Sequence, residues 1–169
     1  MPDNKILPME QPKKPINKGQ LGIAACLLAT TVLIAPGEGV KHDPYKDIIG
    51  KETVCYGETN VIMHHYDEAQ CVSMLNNAVQ NTYAKQVYKC VPSLAWDQNK
   101  YQAAASISLA YNIGSTKFCK STAAHQFNHG DLIGGCRALG VWTLAGGKPI
   151  QGLINRRRKE VKLCMTGLG

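Results

Sequence analysis

The chain has no Cys-x-x-Cys pair, so its seven cysteines do not read as a metal site. It has no phosphate loop, because Gly146-Gly147-Lys148 runs into Pro149 instead of Ser or Thr. A G-x-S-x-G turn is missing, which removes the α/β-hydrolase nucleophile. No internal repeat is visible. The chain also lacks the run of about 20 strongly apolar residues that a stable spanning helix wants. Its apolar stretch, Leu21 to Ala35, is fifteen residues without a charge and rich in Ala, Thr and Gly.

What is present narrows the compartment and the partner. At 169 residues the chain can bury one sizeable core. Its formal net charge is +7, and from Gly37 onward 15 basic residues face 10 acidic ones. A basic surface fits an anionic partner such as nucleic acid, a membrane face or a bacterial wall. Six of the seven cysteines (Cys55, Cys71, Cys90, Cys119, Cys136 and Cys164) follow the apolar stretch. An even number spread along one domain reads as three disulfides in an oxidising space, with buried cytosolic thiols as the alternative. Cys26 is left over inside the apolar stretch.

Residues 1–20 carry Pro8, Pro12, Pro15 and several lysines without apolar periodicity, which predicts a disordered basic tail. Lys13, Lys14 and Lys18 precede the apolar stretch and should stay on the cytoplasmic side. The cleavage sites are poor. Cutting after Ala35 puts Leu33 at a small-residue position, and cutting after Gly37 leaves Glu38 at the new terminus. Residues 21–36 are therefore expected to be a marginal, uncleaved membrane-targeting segment ahead of a domain at 37–169. A buried core helix and a cleaved secretory signal are the competing readings.

Within 37–169, residues 44–63 predict a small hairpin region. Asp67 with Gln70 resembles a capping box, and Val72, Leu75, Val79, Tyr83 and Val87 recur at helical spacing, predicting a helix over roughly 68–89. Asp97 is expected to cap a buried central helix around Ala103 to Ala110, ended by Gly114. Ser121 and Asp131 should cap two short helices, and a last helix should run from about Gly152 to Leu163. The pattern is α+β with segregated elements. His64-His65 reads as a solvated pair on a loop. Arg156-Arg157-Arg158-Lys159 could be a nucleic-acid patch, but successive helical positions face different ways, which favours a mixed solvated and cleft-facing role.

The chemistry candidates are carboxylates. Splitting a glycosidic bond needs one protonated acid for the leaving oxygen and one ionised carboxylate for water or for the oxocarbenium-like centre. Glu38 lies nine residues before Asp47, and Asp47 six before Thr53, inside Glu-Gly, Pro-Tyr-Lys-Asp and Thr-Val-Cys-Tyr-Gly. Asp43, Glu52 and Glu58 are also nearby. Downstream stand Leu109-Ala110-Tyr111-Asn112-Ile113-Gly114, Cys119-Lys120-Ser121-Thr122, Trp142-Thr143-Leu144-Ala145-Gly146-Gly147 and Gly152-Leu153-Ile154-Asn155-Arg156-Arg157. This ordered series resembles the phage-type lysozymes, glycoside hydrolase family 24, over essentially all of 38–164.

The resemblance implies a lysozyme-like fold with a small β-hairpin lobe and a larger helical lobe. It implies Glu38 as general acid, Asp47 as the ionised carboxylate and Thr53 as the hydroxyl that places the attacking water. It aligns Arg156 with an arginine that pairs with the acid. A cation favours the ionised form of Glu38, so Arg156 would orient more than raise the pKa. Two positions depart from the family: Cys55 stands where glycine is usual, and Glu58 where histidine is common. The resemblance implies pairings Cys55–Cys71, Cys90–Cys119 and Cys136–Cys164, although six cysteines allow many others.

An acid two residues beyond a marginal membrane segment resembles the signal-anchor-release endolysins. The expected life history is export, tethering to the inner membrane through residues 21–35, then release into the periplasm, with Cys26 as a candidate for redox control. The resemblance further implies a muramidase acting on peptidoglycan as a monomer, with no cofactor, no metal and no nucleic acid. The rivals are a catalytically silent wall-binding or lysis-regulating protein on the same fold, a cleaved secreted lysozyme and a transglycosylase.

Overall fold

A computed structural model describes residues 21–47 and 50–169, with no side-chain description at 21–24, 37 and 38. The expected basic tail, 1–20, lies outside the described residues. Helix α1 (Leu21–Leu28) continues through a π-helical stretch, Ala29–Ile34, into α2 (Ala35–Glu38). The hairpin follows as β1 (Lys41–Lys46) and β2 (Glu52–Cys55). Then come α3 (Glu68–Ala78), a π-helical stretch at Val79–Ala84 and α4 (Lys85–Cys90), one continuous helical rod. Two 3-10 turns lead into α5 (Lys100–Ile113), followed by α6 (Ser115–Cys119), α7 (Thr122–Asn128) and α8 (Leu132–Leu139). A two-residue ribbon, β3 (Leu144–Ala145) with β4 (Lys148–Pro149), precedes α9 (Gln151–Cys164). The architecture is the expected α+β: one small antiparallel hairpin against a mostly helical body.

The hairpin starts three residues earlier than the turn-rich composition indicated. Its ladder pairs Lys41 with Cys55 and Tyr45 with Thr53, so β1 carries surplus residues between those pairs. Pro44 sits in that bulge, where its missing N–H costs no ladder bond. The His42 carbonyl accepts from the Tyr66 amide instead, tying the strand to the loop before α3.

α3 opens on a complete capping box: Asp67 accepts from the Gln70 amide at 2.8 Å, and the Gln70 side chain accepts from the Asp67 amide at 2.9 Å. Ser121 and Asp131 cap α7 and α8 through the amides of Ala124 and Gly134. The Asp97 expectation needs correction. Asp97 lies in a 3-10 turn, Asn99 is the N-cap of α5 and makes no side-chain cap bond, and its side-chain Nδ2 donates to the Ser93 carbonyl instead.

α5 is the core helix. Every residue from Gln102 to Ala110 is buried, and the alanines and serines there let α1, α9 and the π-helical stretch of the rod approach closely. Each large apolar side chain fully buried around it, such as Leu75, Ile107 or Phe118, contributes about 1.5–3 kcal/mol. The three disulfides are Cys55–Cys71, Cys90–Cys119 and Cys136–Cys164, fastening β2 to α3, α4 to α6, and α8 to α9.

The apolar stretch is part of this core. Ala25, Cys26, Ala29, Thr30, Leu33 and Ile34 are buried, while Leu27 and Val32 keep 45% and 46% exposure on the outer face. The expected boundary at 36/37 falls inside α2, and the residues on both sides of it share the helical body. No helix among the described residues is long and apolar enough to cross a membrane.

Candidate active site

The turn that joins β1 to β2 is organised by the backbone of one residue, Lys51. The Asp47 amide donates to the Lys51 carbonyl at 3.0 Å, and the Lys51 amide donates back to Asp47 Oδ1 at 2.9 Å. Thr53 Oγ1 donates to the same Lys51 carbonyl at 3.0 Å. Asp47 and Thr53 are thus set relative to each other by backbone chemistry local to seven residues. With its proton given to Lys51, the Thr53 oxygen keeps lone pairs to accept from a water. Asp47 is half-buried and Thr53 buried. Glu38 ends α2 in the backbone; its side chain lies outside the described atoms.

Past Thr53 the chain makes a tight turn. Val54 and Glu58 exchange backbone bonds at 3.0 and 2.9 Å, and Gly57 has φ +100°. Cys55, at the position where the family usually has glycine, has φ +58°. A side chain in that left-handed region costs roughly 1–2 kcal/mol, which accounts for the preference for glycine. Here Cys55 is held in place by its bond to Cys71, so the departure and the cross-link explain each other. The Tyr111 hydroxyl donates to the Tyr56 carbonyl and fastens this turn to the end of α5.

Beside the turn lies a cleft of about 390 Å³, lined by Glu58 and Asn60 from the hairpin side, Thr82 and Tyr83 from the rod, and Tyr111 and Asn112 from α5. Burial pushes the Glu58 carboxyl above its ordinary value. Burial also raises the Tyr83 phenol, with the Glu58 charge adding to it. The second departure from the family therefore puts a reluctant carboxylate into the cleft wall. His64 and His65 stay exposed, His65 on Asp43 at 2.8 Å.

α9 splits its basic run as helical geometry requires. Arg158 and Lys159 are exposed, Arg156 is partly buried and Arg157 keeps 1% exposure. Arg157 Nε and Nη2 clasp Glu160 at 2.7 and 2.9 Å, and Nη1 reaches Asn112 Oδ1 at 3.1 Å. Arg156 Nε lies 3.4 Å from Glu160 Oε1, and its Nη2 donates to the Ser108 carbonyl at 3.4 Å. Ser108 Oγ donates to Glu160 Oε1 at 2.6 Å. Glu160 has no exposure: burial raises its pKa, while Arg157, Ser108 and Arg156 pull it back. Sequence reasoning singled out Arg156 and missed Glu160. The Arg-Arg-x-x-Glu spacing on one helix was the available signal.

The sequence of this chain matches the phage lysozyme family model over residues 35–160, and the chain belongs to that family. A SAR-endolysin of Bacteriophage PS119 is 38% identical over 151 residues, 85% of this chain and 88% of that protein. A SAR-endolysin of Enterobacteria phage P21 is 36% identical over 155 residues, 87% of this chain and 92% of that protein. In fold, the chain is similar to the active form of the P1 phage endolysin Lyz, with a TM-score of 0.73 at 22% identity, covering 87% of this chain and 95% of that one. The protein is a glycoside hydrolase of the lysozyme type, and its substrate is peptidoglycan.

Proposed function

We propose that the chain is a signal-anchor-release endolysin in which Glu38 protonates the leaving glycosidic oxygen, Asp47 acts as the ionised carboxylate and Thr53 holds the attacking water. The protein is a muramidase that cuts the β-1,4 bond between N-acetylmuramic acid and N-acetylglucosamine. The observation that carries the residue assignment is the shared backbone of Lys51, which couples Asp47 to Thr53. Arg156, on the α9 helix behind α5, is assigned to orient the acid. Glu38→Gln keeps the side chain's shape and removes its proton; loss of a general acid costs roughly two to four orders of magnitude in rate. Turbidity loss of permeabilised bacteria measures it, and near-parental lysis by Glu38→Gln would sink the assignment.

The tether belongs to the same proposal. Thr30 and Thr31 return their hydroxyls to the Cys26 and Leu27 carbonyls at 2.9 and 2.7 Å, so both polar groups stay satisfied inside the helix wherever it sits. Leu27 and Val32 supply an apolar outer face. While residues 21–35 lie in a bilayer, Glu38 can reach only about 10 Å beyond it, since an extended residue spans at most ~3.6 Å. The acid is then held away from Asp47 until release, which a collapsing membrane potential promotes. Packed in the core, the Cys26 thiol is pushed up to about 11 by burial, so any exchange with Cys55–Cys71 is assigned to the unpacked state. Locking the anchor by leucine at Ala25 or Ala29 would overpack the folded core as well. Thr31→Leu, on the exposed face, is the cleaner variant. It should delay lysis in cells at unchanged activity of the released protein; equal lysis timing would argue against the tether.

A further inference from the structure

Glu58 stands in the cleft wall without a counterpart. Its backbone is fixed by the two-bond bridge to Val54, the residue after Thr53, so it belongs to the same strand end as the candidate hydroxyl. Its carboxylate is half-buried, and among the described residues it makes no hydrogen bond or ion pair. Burial raises its pKa, with no cation pulling it back. A carboxylate drawn out of water without a partner costs stability, which points to what the cleft binds. The other walls supply aromatic surface. The Tyr83 and Tyr111 rings lie 5.1 Å apart at 60°, and both line the cleft with Glu58. Tyr83 comes from the π-helical stretch Val79–Ala84, a widening of the helix found mostly at functional sites.

We infer that Glu58, together with the Tyr83 and Tyr111 rings, forms a subsite for a primary ammonium group carried by the wall substrate. This rests on the muramidase reading and deepens it, from the bond that is cut to a substituent that is recognised. Sugar hydroxyls and acetamides need no full negative charge, and the cleft already offers Asn60, Thr82 and Asn112 for them. The carboxylates of a peptide stem are repelled by Glu58. A primary ammonium uses both features of the site: it donates charge-assisted hydrogen bonds to the carboxylate and is attracted to the ring faces. Wall polymers carry such amines in two places, on the diamino acids of the peptide stem and on glucosamine rings that have lost the acetyl group. The histidine common at this position in the family is neutral or positive, so it cannot act as the counter-ion.

The test compares kcat/KM, read from released reducing ends, on purified peptidoglycan and on the same material N-acetylated with acetic anhydride. Folding of the full chain and its variants is checked by circular dichroism. Acetylation removes the ammonium groups and makes the wall more anionic, which by itself favours a chain of net charge +7. The parent should nevertheless lose about ten-fold in kcat/KM, the size of a charge-assisted hydrogen bond. Glu58→Gln should lose less than about two-fold, because it has no charge left to pair. The exposed Glu52→Gln should lose as much as the parent. Peptide-free glycan strands assign the source: a parental response that disappears with the peptides places the ammonium on the stem, and one that survives places it on a deacetylated sugar. A parent indifferent to acetylation, or a folded Glu58→Gln that loses as much as the parent, would overturn the inference. If Glu58→Gln does not fold, Tyr83→Leu takes its place, and a full parental response in that variant overturns the inference. A parent that releases no reducing ends from either wall would refute the muramidase reading itself.

Discussion

The hairpin and the α5–α9 pair hold the proposed site residues in opposite ways. In the hairpin, Asp47 and Thr53 are placed by backbone bonds to Lys51, four and two residues away, and the surrounding surface is largely exposed. Between α5 and α9, Arg156 meets the Ser108 carbonyl, 48 residues away, and Glu160, a carboxylate with no exposure that the Ser108 hydroxyl also holds. Local placement survives changes elsewhere and can be altered without dismantling the core. Remote placement ties the site to the stability of the whole body, because any missing member leaves a buried charge behind.

Several experiments would break or sharpen that contrast. The largest effect on activity should come from the hairpin: Asp47→Asn is expected to lower wall lysis at least about 100-fold, with a melting temperature close to the parent's. A large loss of stability in that variant would show that the hairpin is not locally held. Arg157→Met should do the reverse. It leaves Glu160 without its main partner, at a cost of about 3–5 kcal/mol, visible in chemical denaturation before any kinetic measurement.

A finer comparison concerns Cys55. Breaking Cys55–Cys71 should cost about 2–4 kcal/mol. The pair Cys55→Gly with Cys71→Ala should recover about 1 kcal/mol relative to Cys55→Ala with Cys71→Ala, because glycine adopts the positive φ freely. Equal stabilities of the two double variants would mean that the turn relaxes once the bond is gone.

The smallest effect concerns Glu58, whose folded-state pKa is raised by burial from an ordinary 4.5. Above 4.5 the unfolded chain gives up this proton more readily than the native one, so stability falls as pH rises through the folded pKa. Glu58→Gln removes that loss. Its melting temperature should exceed the parent's at pH 7 and match it at pH 4; a constant difference across that range would assign the effect to something other than titration.

Legibility followed the same divide. The capping box at Asp67, the caps at Ser121 and Asp131, and the end of α5 at Gly114 were readable because each depends on a few adjacent residues. Asp97 misled, since a 3-10 turn took the place of the expected cap and moved the helix start to Lys100. The mixed facing of Arg156 to Lys159 could be anticipated from helical geometry, but the partner that justifies burying Arg157 could not. Ser108 and Asn112 become its neighbours only when α5 and α9 pack.

The residues of this chain by themselves determined the α+β class, the candidate acid, carboxylate and hydroxyl with their spacing, and the six domain cysteines that pair. Short-range rules govern all of these: turn chemistry, helical periodicity and the family resemblance of contiguous motifs. Tertiary structure alone decided that the marginal apolar stretch packs on α5, that Cys55 sits at positive φ under its disulfide, and that Glu160 joins two arginines behind the cleft. Those outcomes depend on which surfaces meet, and burial gives a charge or a strained backbone angle its energetic weight only once they have met.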